Sequence, residues 1–275
     1  MIRSIRRRFF PRLEMRREFR RVFGRKLDLA NARTFNEKIY REKLKTDPRM
    51  MVAVDKVLVK QLVTEELGEG WAVPMVWHGR RLPPRRERNW PTPYVIKANH
   101  GSGWNIFVRG KADETWPDIE RQCEHWLGSN FGASSGEQVY FRVPRQILVE
   151  PYLGDPESRL IDYRFFVFGG RAEYISVDFE TDGELRGLFY DREWRLQPFE
   201  RWPPRSDNGV PAPLNLARMM EAAEKLAKPY PFVRVDMYDV DGHAYFGEMT
   251  FYPGGGNIPF NPPEYDDIFG ALWPD

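Results

Sequence analysis

The segment pattern predicts an α+β protein of two lobes built on antiparallel hairpins. Three observations carry this. Strand-length apolar runs flank glycine turns in "YVIKANHGSGWNIFVRG", "DYRFFVFGGRAEYISVDF" and "FVRVDMYDVDGHAYFGEMTF". Helical segments lie before and between these hairpins. The length of 275 residues and mass of 32.5 kDa suit one large domain or two small lobes. No internal repeat is visible. The crossing between lobes falls near residue 150, giving an arm over 1–28, a first lobe over 29–149 and a second over 150–275.

In chain order, Thr34 and Glu37 form a capping box ahead of Ile39, Tyr40 and Leu44, so a helix starts there. A second helix is predicted over 51–67, stopped by Gly68. Residues 79–93 are a Pro/Arg-rich loop. After the first hairpin, 114–131 reads as helix and 145–153 as a buried strand. Gly169–Gly170 turns the second hairpin, since two glycines supply the positive φ of a tight turn. Residues 197–213 form a loop and 214–229 a helix before the last hairpin and "YPGGGN".

Composition narrows the function classes. Hydrophobic residues are 41%, charged 30% and aromatic 15%, which excludes collagen-like, coiled-coil and wholly disordered chains. No run approaches a membrane span. The single Cys123 permits no internal disulfide, and His78, His100, His125 and His243 lack close ligand spacing. A cytoplasmic protein without zinc is expected. The net charge of +2 hides +9 in residues 1–26, leaving −7 for the body. That arm reads as a short basic amphipathic helix carrying Phe19, Val22 and Phe23, suited to an anionic membrane face, or as a solvated, frayed terminus. The acidic body has no second basic face and no nucleic-acid-reading motif, so nucleic acid is not an expected partner.

Two segments carry candidate chemistry. In "VIKANHGSGW", glycines let backbone N–H groups approach phosphate, and Lys97 in an apolar strand must reach solvent or an anion. An ordinary turn is the bland alternative. Lys56 and Lys60 add cations, or a solvated helix face. In the last hairpin, pairing centred on Gly242 sets Asp236 opposite Glu248 and Arg234 opposite Thr250, all on one face. A two-residue Asp241–Gly242 turn would put the carboxylates on opposite faces, so a three- or five-residue loop or a bulge is predicted. Paired carboxylates repel unless a cation sits between them, and Mg²⁺ with nucleotide phosphates suits that place. A solvated edge hairpin is the alternative.

The order Asp55-Lys56, Lys97 with its glycine turn, Glu150, Arg234-x-Asp236 and Glu248 resembles the ATP-grasp superfamily. More narrowly, "RTFNEKIYREKL", "KANHGSGWNI", "DYRFFVFGG", "YDREW" and "FVRVDMYDVDGHAYFGEMTFYPGGG" resemble its TupA-like, teichuronopeptide-synthesis branch, over about 29–272. The resemblance implies an ATP-grasp fold, two lobes gripping ATP. It places Lys56 and Lys97 on nucleotide phosphates and makes His100, Gly101, Ser102 and Gly103 a mobile loop over them. Glu150 with Pro151, Tyr152 and Leu153 meets adenine and ribose. Asp236 and Glu248 hold Mg²⁺, Arg234 steadies the reacting phosphoryl group, Arg164 faces the γ-phosphate and Gly254–Gly256 lie near the acceptor.

One departure is Thr250, where many superfamily members carry an asparagine; a hydroxyl is the poorer Mg²⁺ ligand, so a second metal is expected to be held loosely or through water. A full N-terminal substrate domain is not visible ahead of Lys56, so recognition is expected from the C-terminal lobe, the arm or a partner. The implied activity is ADP-forming carboxylate–amine ligation through an acyl phosphate, in cell-surface or capsular polysaccharide synthesis. The substrates would be small-molecule or glycan carboxylates and amines. Alternatives are a glycan kinase on the same fold and a non-catalytic subunit of a glycan-assembly complex, docked at the membrane through residues 1–26. Trp71, Trp77, Trp90, Trp104, Trp194, Trp202 and Trp273 suit either sugar stacking or the core.

Overall fold

The computed structural model describes residues 11–274; residues 1–10 of the basic arm lie outside the described residues. Two antiparallel sheets organise the chain. The smaller has the order β1 (Trp77–Gly79), β4 (Ile147–Pro151), β2 (Tyr94–Ala98), β3 (Asn105–Val108). Helix α5 (Trp116–Gly128), followed by the short α6 (Phe131–Ser135), lays Ile119, Cys123 and Trp126 on one face of it, against Tyr94, Ile96, Val108 and Val149. The larger runs β7 (Glu184–Asp191), β6 (Arg171–Thr181), β5 (Asp162–Phe168), β8 (Phe232–Val240), β9 (His243–Thr250).

Alternation gives the large sheet two unlike faces. Phe165, Val167, Ile175, Val177, Val233 and Val235 are buried, and helix α7 (Leu216–Ala227) contributes Met219, Ala223 and Leu226 to the same core. The opposite face changes character along the strands. At one end Phe166, Phe168 and Phe232 surround Phe35, with Phe269 of α8 (Tyr265–Leu272) and Trp273 beside them. At the other end the same face carries Arg164, Asp178, Arg234, Asp236 and Glu248, in register across the strands. One sheet face is thus both core wall and charged floor.

The capping box forms as read: α2 (Phe35–Glu42) starts at Thr34, whose side chain accepts from Glu37 N. The single helix expected over 51–67 is two, α3 (Pro48–Val54) and α4 (Leu58–Leu67), parted by an extended Asp55. The Asp55 carboxylate accepts from Val57 N at 2.9 Å and Asn99 Nδ2 at 2.9 Å, so a remote partner helps fix the break. Packing places Phe35, Ile39, Val54, Val59 and Val63 in the core of the large sheet, although they precede the small sheet in sequence. Residues 11–23 form α1 (Pro11–Phe23), and fraying does not describe this stretch: Met15 and Phe19 are buried, Phe19 edge-on to Tyr40 at 5.4 Å. Strands β1 and β7 and helix α8 were not anticipated.

Candidate active site

The two sheets face a cleft of about 950 Å³, floored by the charged end of the large sheet. Its central feature is a register change. Near the turn β8 and β9 pair as Val240 with His243 and Met237 with Phe246, the pattern of a two-residue Asp241–Gly242 turn. Between Asp236 and Met237 a bulge adds Gly247, and beyond it Asp236 pairs with Glu248 and Arg234 with Thr250. The bulge therefore brings both carboxylates to one face, as the pairing argument required. A Cβ at Gly247 would stand 2.9 Å from the Asp236 carbonyl oxygen, so only glycine fits there without displacement.

Charges interlock across this floor. Arg234 donates Nε and Nη2 to the two oxygens of Asp236, at 2.7 and 2.6 Å, and Nη2 to Thr250 Oγ1 at 3.3 Å. Thr250 in turn donates to Glu248 Oε1 at 3.0 Å. Arg164 pairs with buried Asp178, with Asp162 at 3.2 Å, and stands 3.7 Å from Asp236. Burial pushes Asp236 up to about 6 against the pull of Arg234 and Arg164. Burial would raise Glu248 as well, but Lys56 and Arg234 outweigh it and hold the carboxyl down at about 2. Two neighbouring carboxylates are thus driven apart in acidity.

The opposite wall supplies lysines. Lys56, in the break before α4, reaches Glu248 at 3.4 Å and donates to the Gly101 carbonyl at 2.9 Å, joining the glycine loop to the carboxylates. Lys97 on β2 and Lys60 on α4 both meet Glu150 of β4, at 2.5 and 2.6 Å. The Glu150 side chain is buried between two lysines, which hold its pKa low in spite of desolvation. Pro151, Tyr152 and Leu153 continue along the cleft, as do Ser102, Gly103 and Gly254–Gly255.

His100 departs from its expected place. Its ring is buried, 3.0 Å from Asn99 Oδ1 and from the Trp126 carbonyl, so it anchors the glycine loop to α5 instead of facing the cleft. Trp104 packs edge-on against His100 on that inner side. Trp71, Trp90 and Trp273 are core residues, whereas Trp202 is 64% exposed on the cleft wall. Arg201, which lines the cleft, and Asp178, buried behind its floor and paired with Arg164, are residues to which the sequence alone assigned no role. Asp178 had a signal: a lone carboxylate within the apolar run "YISVDF" must have a cationic partner.

Two antiparallel sheets enclosing a cleft, with paired carboxylates below and lysines above, define an ATP-grasp fold. The chain belongs to the TupA-like ATP-grasp family, whose model matches residues 37–273. Among solved structures it is similar to D-alanine–D-alanine ligase from Bacillus anthracis complexed with ATP, at 14% identity and a TM-score of 0.48, covering 81% of this chain and 65% of that one. It is also similar to the Helicobacter pylori D-alanine–D-alanine ligase, at 14% identity and 0.43, covering 82% and 62%. The ATP-grasp ligase PsnB complexed with minimal precursor matches at 14% and 0.44, covering 82% and 62%. The chain thus spans less than two thirds of each of these proteins. No curated protein matches it.

Proposed function

We propose that the protein is a Mg²⁺- and ATP-dependent carboxylate–amine ligase. The observation that carries this is the convergence of Asp236, Glu248, Arg234, Lys56 and Lys97 on one cleft. The donor set fits the metal. Among the described residues no three His, Cys, Asp or Glu side chains form a protein-only cage, and Mg²⁺ prefers one or two carboxylates completed by phosphate and water. Asp236 keeps its raised pKa beside two guanidiniums, so another cation next to it is favourable. Asp236 and Glu248 would hold the ion, with Thr250 beside them, and bound Mg²⁺ would supply charge neutralisation for the phosphate oxygens.

The chain's own groups do the rest. Lys56 and Lys97 orient the nucleotide phosphates, with Ser102 and Gly103 covering them and Glu150 holding Lys97 in place. Pro151–Leu153 line the nucleotide wall. The substrate carboxylate oxygen attacks the γ-phosphorus, the β–γ bridging bond breaks, and ADP departs from an acyl phosphate. An amine then attacks the carbonyl carbon and loses a proton, and the carbon–oxygen bond to phosphate breaks. Arg234 and Arg164 offset the negative charge that builds in both steps.

We infer from the family resemblance that this chemistry serves cell-surface or capsular polysaccharide synthesis, joining an amino acid to a uronic acid or a peptide-like polymer in the cytoplasm. Helix α1 supports peripheral contact with anionic membrane or with glycan-assembly proteins. Its apolar side is docked on the fold, and Arg12, Arg16, Arg17, Arg20 and Arg21 face outward. No helix among the described residues is long and apolar enough to cross a membrane. Hydroxylamine trapping tests the reaction: with ATP, Mg²⁺ and a panel of amino and uronic acids, a hydroxamate should form together with ADP. ADP formed with no hydroxamate from any acid that stimulates it would contradict the ligase and favour a kinase.

A further inference from the structure

Beyond the charged floor, the cleft wall includes the segment between β7 and α7, where Arg201 is only 7% exposed. Its guanidinium lies 4.6 Å from the Phe260 ring centroid and 5.4 Å from that of Phe35. Nη2 donates to the Ile258 carbonyl at 2.9 Å and to Asn36 Oδ1 at 3.4 Å. Nε is buried with no hydrogen-bond partner, and Nη1 makes no hydrogen bond among the described residues.

No carboxylate among the described residues is within ion-pair distance of it. The acid whose charge it feels, Asp266, is spent elsewhere, accepting from Asn36 N at 2.9 Å and Asn36 Nδ2 at 2.8 Å. Desolvation pushes Arg201 down to about 9, Asp266 opposes that, and Arg234 adds to it. A buried cation without a counter-ion is costly, and an anion delivered by a ligand removes that cost. The other arginines of the cleft floor, Arg164 and Arg234, have their carboxylates within the chain. Arg201 stands apart.

The next residue, Trp202, lines the same cleft and is the most exposed tryptophan in the core-and-cleft set named above. The same cleft is lined by Gly254 and Gly255, which turn with φ of +59° and +61°, and by Ile258, whose carbonyl accepts from Arg201. The cleft wall therefore combines a cation lacking an anion, an open aromatic face and a glycine turn.

We propose that Arg201 and Trp202 form an acid-recognition subsite: the guanidinium binds a substrate carboxylate that is not the reacting group, and the indole lies against the adjoining carbon skeleton. The substrate class is an amino acid or a dicarboxylate. The proposal takes its place in the reaction from the ligase reading, but the binding itself does not depend on that reading.

The test is calorimetric titration of the full chain with malonate, with malonamide as the neutral isostere and sulfate as the competing anion. Wild type, Arg201→Met and Trp202→Ala are compared, and each is also titrated with a non-hydrolysable ATP analogue and Mg²⁺. Methionine keeps an aliphatic stem between the two phenylalanine rings and removes a buried charge, a change often neutral for folding. Trp202→Ala alters an exposed position. Malonate should bind wild type, weaken about 10- to 100-fold in Arg201→Met and less in Trp202→Ala, and leave nucleotide affinity unchanged in both. Equal malonate affinity in wild type and Arg201→Met overturns the subsite, as does no saturable malonate binding by wild type. Tighter binding of sulfate than malonate overturns the carboxylate class in favour of phosphate. Lost nucleotide affinity in Arg201→Met would place Arg201 in the nucleotide site instead. If wild type binds no nucleotide while the malonate difference holds, the ligase reading fails and the subsite stands.

Discussion

Replacing Glu150 by glutamine tests the lysine wall of the cleft. Glu150 is 5% exposed, and its two oxygens receive Lys60 at 2.6 Å and Lys97 at 2.5 Å. Breaking a buried pair by removing one partner costs about 3–5 kcal/mol, because the other charge is left uncompensated. The structure sets a ceiling on this loss. Lys60 is the deeper lysine, and it can escape an unpaired charge by giving up its proton. Discharging a lysine of ordinary pKa 10.5 at pH 7 costs about 4.8 kcal/mol, so the penalty cannot exceed that by much. The glutamine oxygen still accepts one lysine hydrogen bond, which sets the expected loss at about 3 kcal/mol.

The sign with pH follows from linkage. Burial already lowers Lys60 against the pull of Glu150, and the substitution lowers it further. Between its lowered folded pKa and 10.5 the folded state binds fewer protons than the unfolded one, so the variant's stability climbs with pH there. In wild type, Glu150 is held below 4.5, so its contribution is full above that value and fades as pH falls through the lowered one. Urea unfolding followed by tryptophan fluorescence, at pH 7 and at about pH 9.5, should show a defect that shrinks at the higher pH. A loss below about 1 kcal/mol, or one that does not change with pH, would refute the buried pairing.

Two further substitutions separate chemistry from architecture. Glu248→Gln preserves shape and can still accept from Thr250, so the fold should persist while ADP release falls by about 10²–10³; near-normal turnover would remove the metal assignment. Phe19→Ala opens a cavity beside Tyr40 and should cost about 3–5 kcal/mol in urea unfolding. An unchanged midpoint would mean that α1 is not part of the cooperative fold.

Local signals were legible and remote ones were not. The capping box at Thr34 and the Gly169–Gly170 turn depend on residues a few positions apart, and both formed as read. A three- or five-residue loop or a bulge was expected in the last hairpin, because a strict Asp-Gly turn alone would split the two carboxylates between faces; the structure has the bulge, at Gly247. The helix break at Asp55 escaped notice because apolar residues run on through it, and Asn99, just past β2 and 44 positions away, helps hold it. Helix α8 has no side-chain cap, and its anchor is Asp266 on Asn36, 230 positions away. Lys97 was singled out because a charge in an apolar strand must reach solvent or an anion, but that Glu150 is such an anion depends on the pairing of β2 with β4, which local spacing does not reveal. The inward turn of His100 likewise depends on Trp126, which local spacing does not reveal.

The most direct measurement is calorimetric titration of wild type and Lys97→Ala with a non-hydrolysable ATP analogue, with and without Mg²⁺. The account predicts micromolar binding that requires Mg²⁺ and is lost in the variant. Absence of binding by wild type, or equal binding by the two proteins, would contradict the assignment of this cleft to Mg²⁺–ATP.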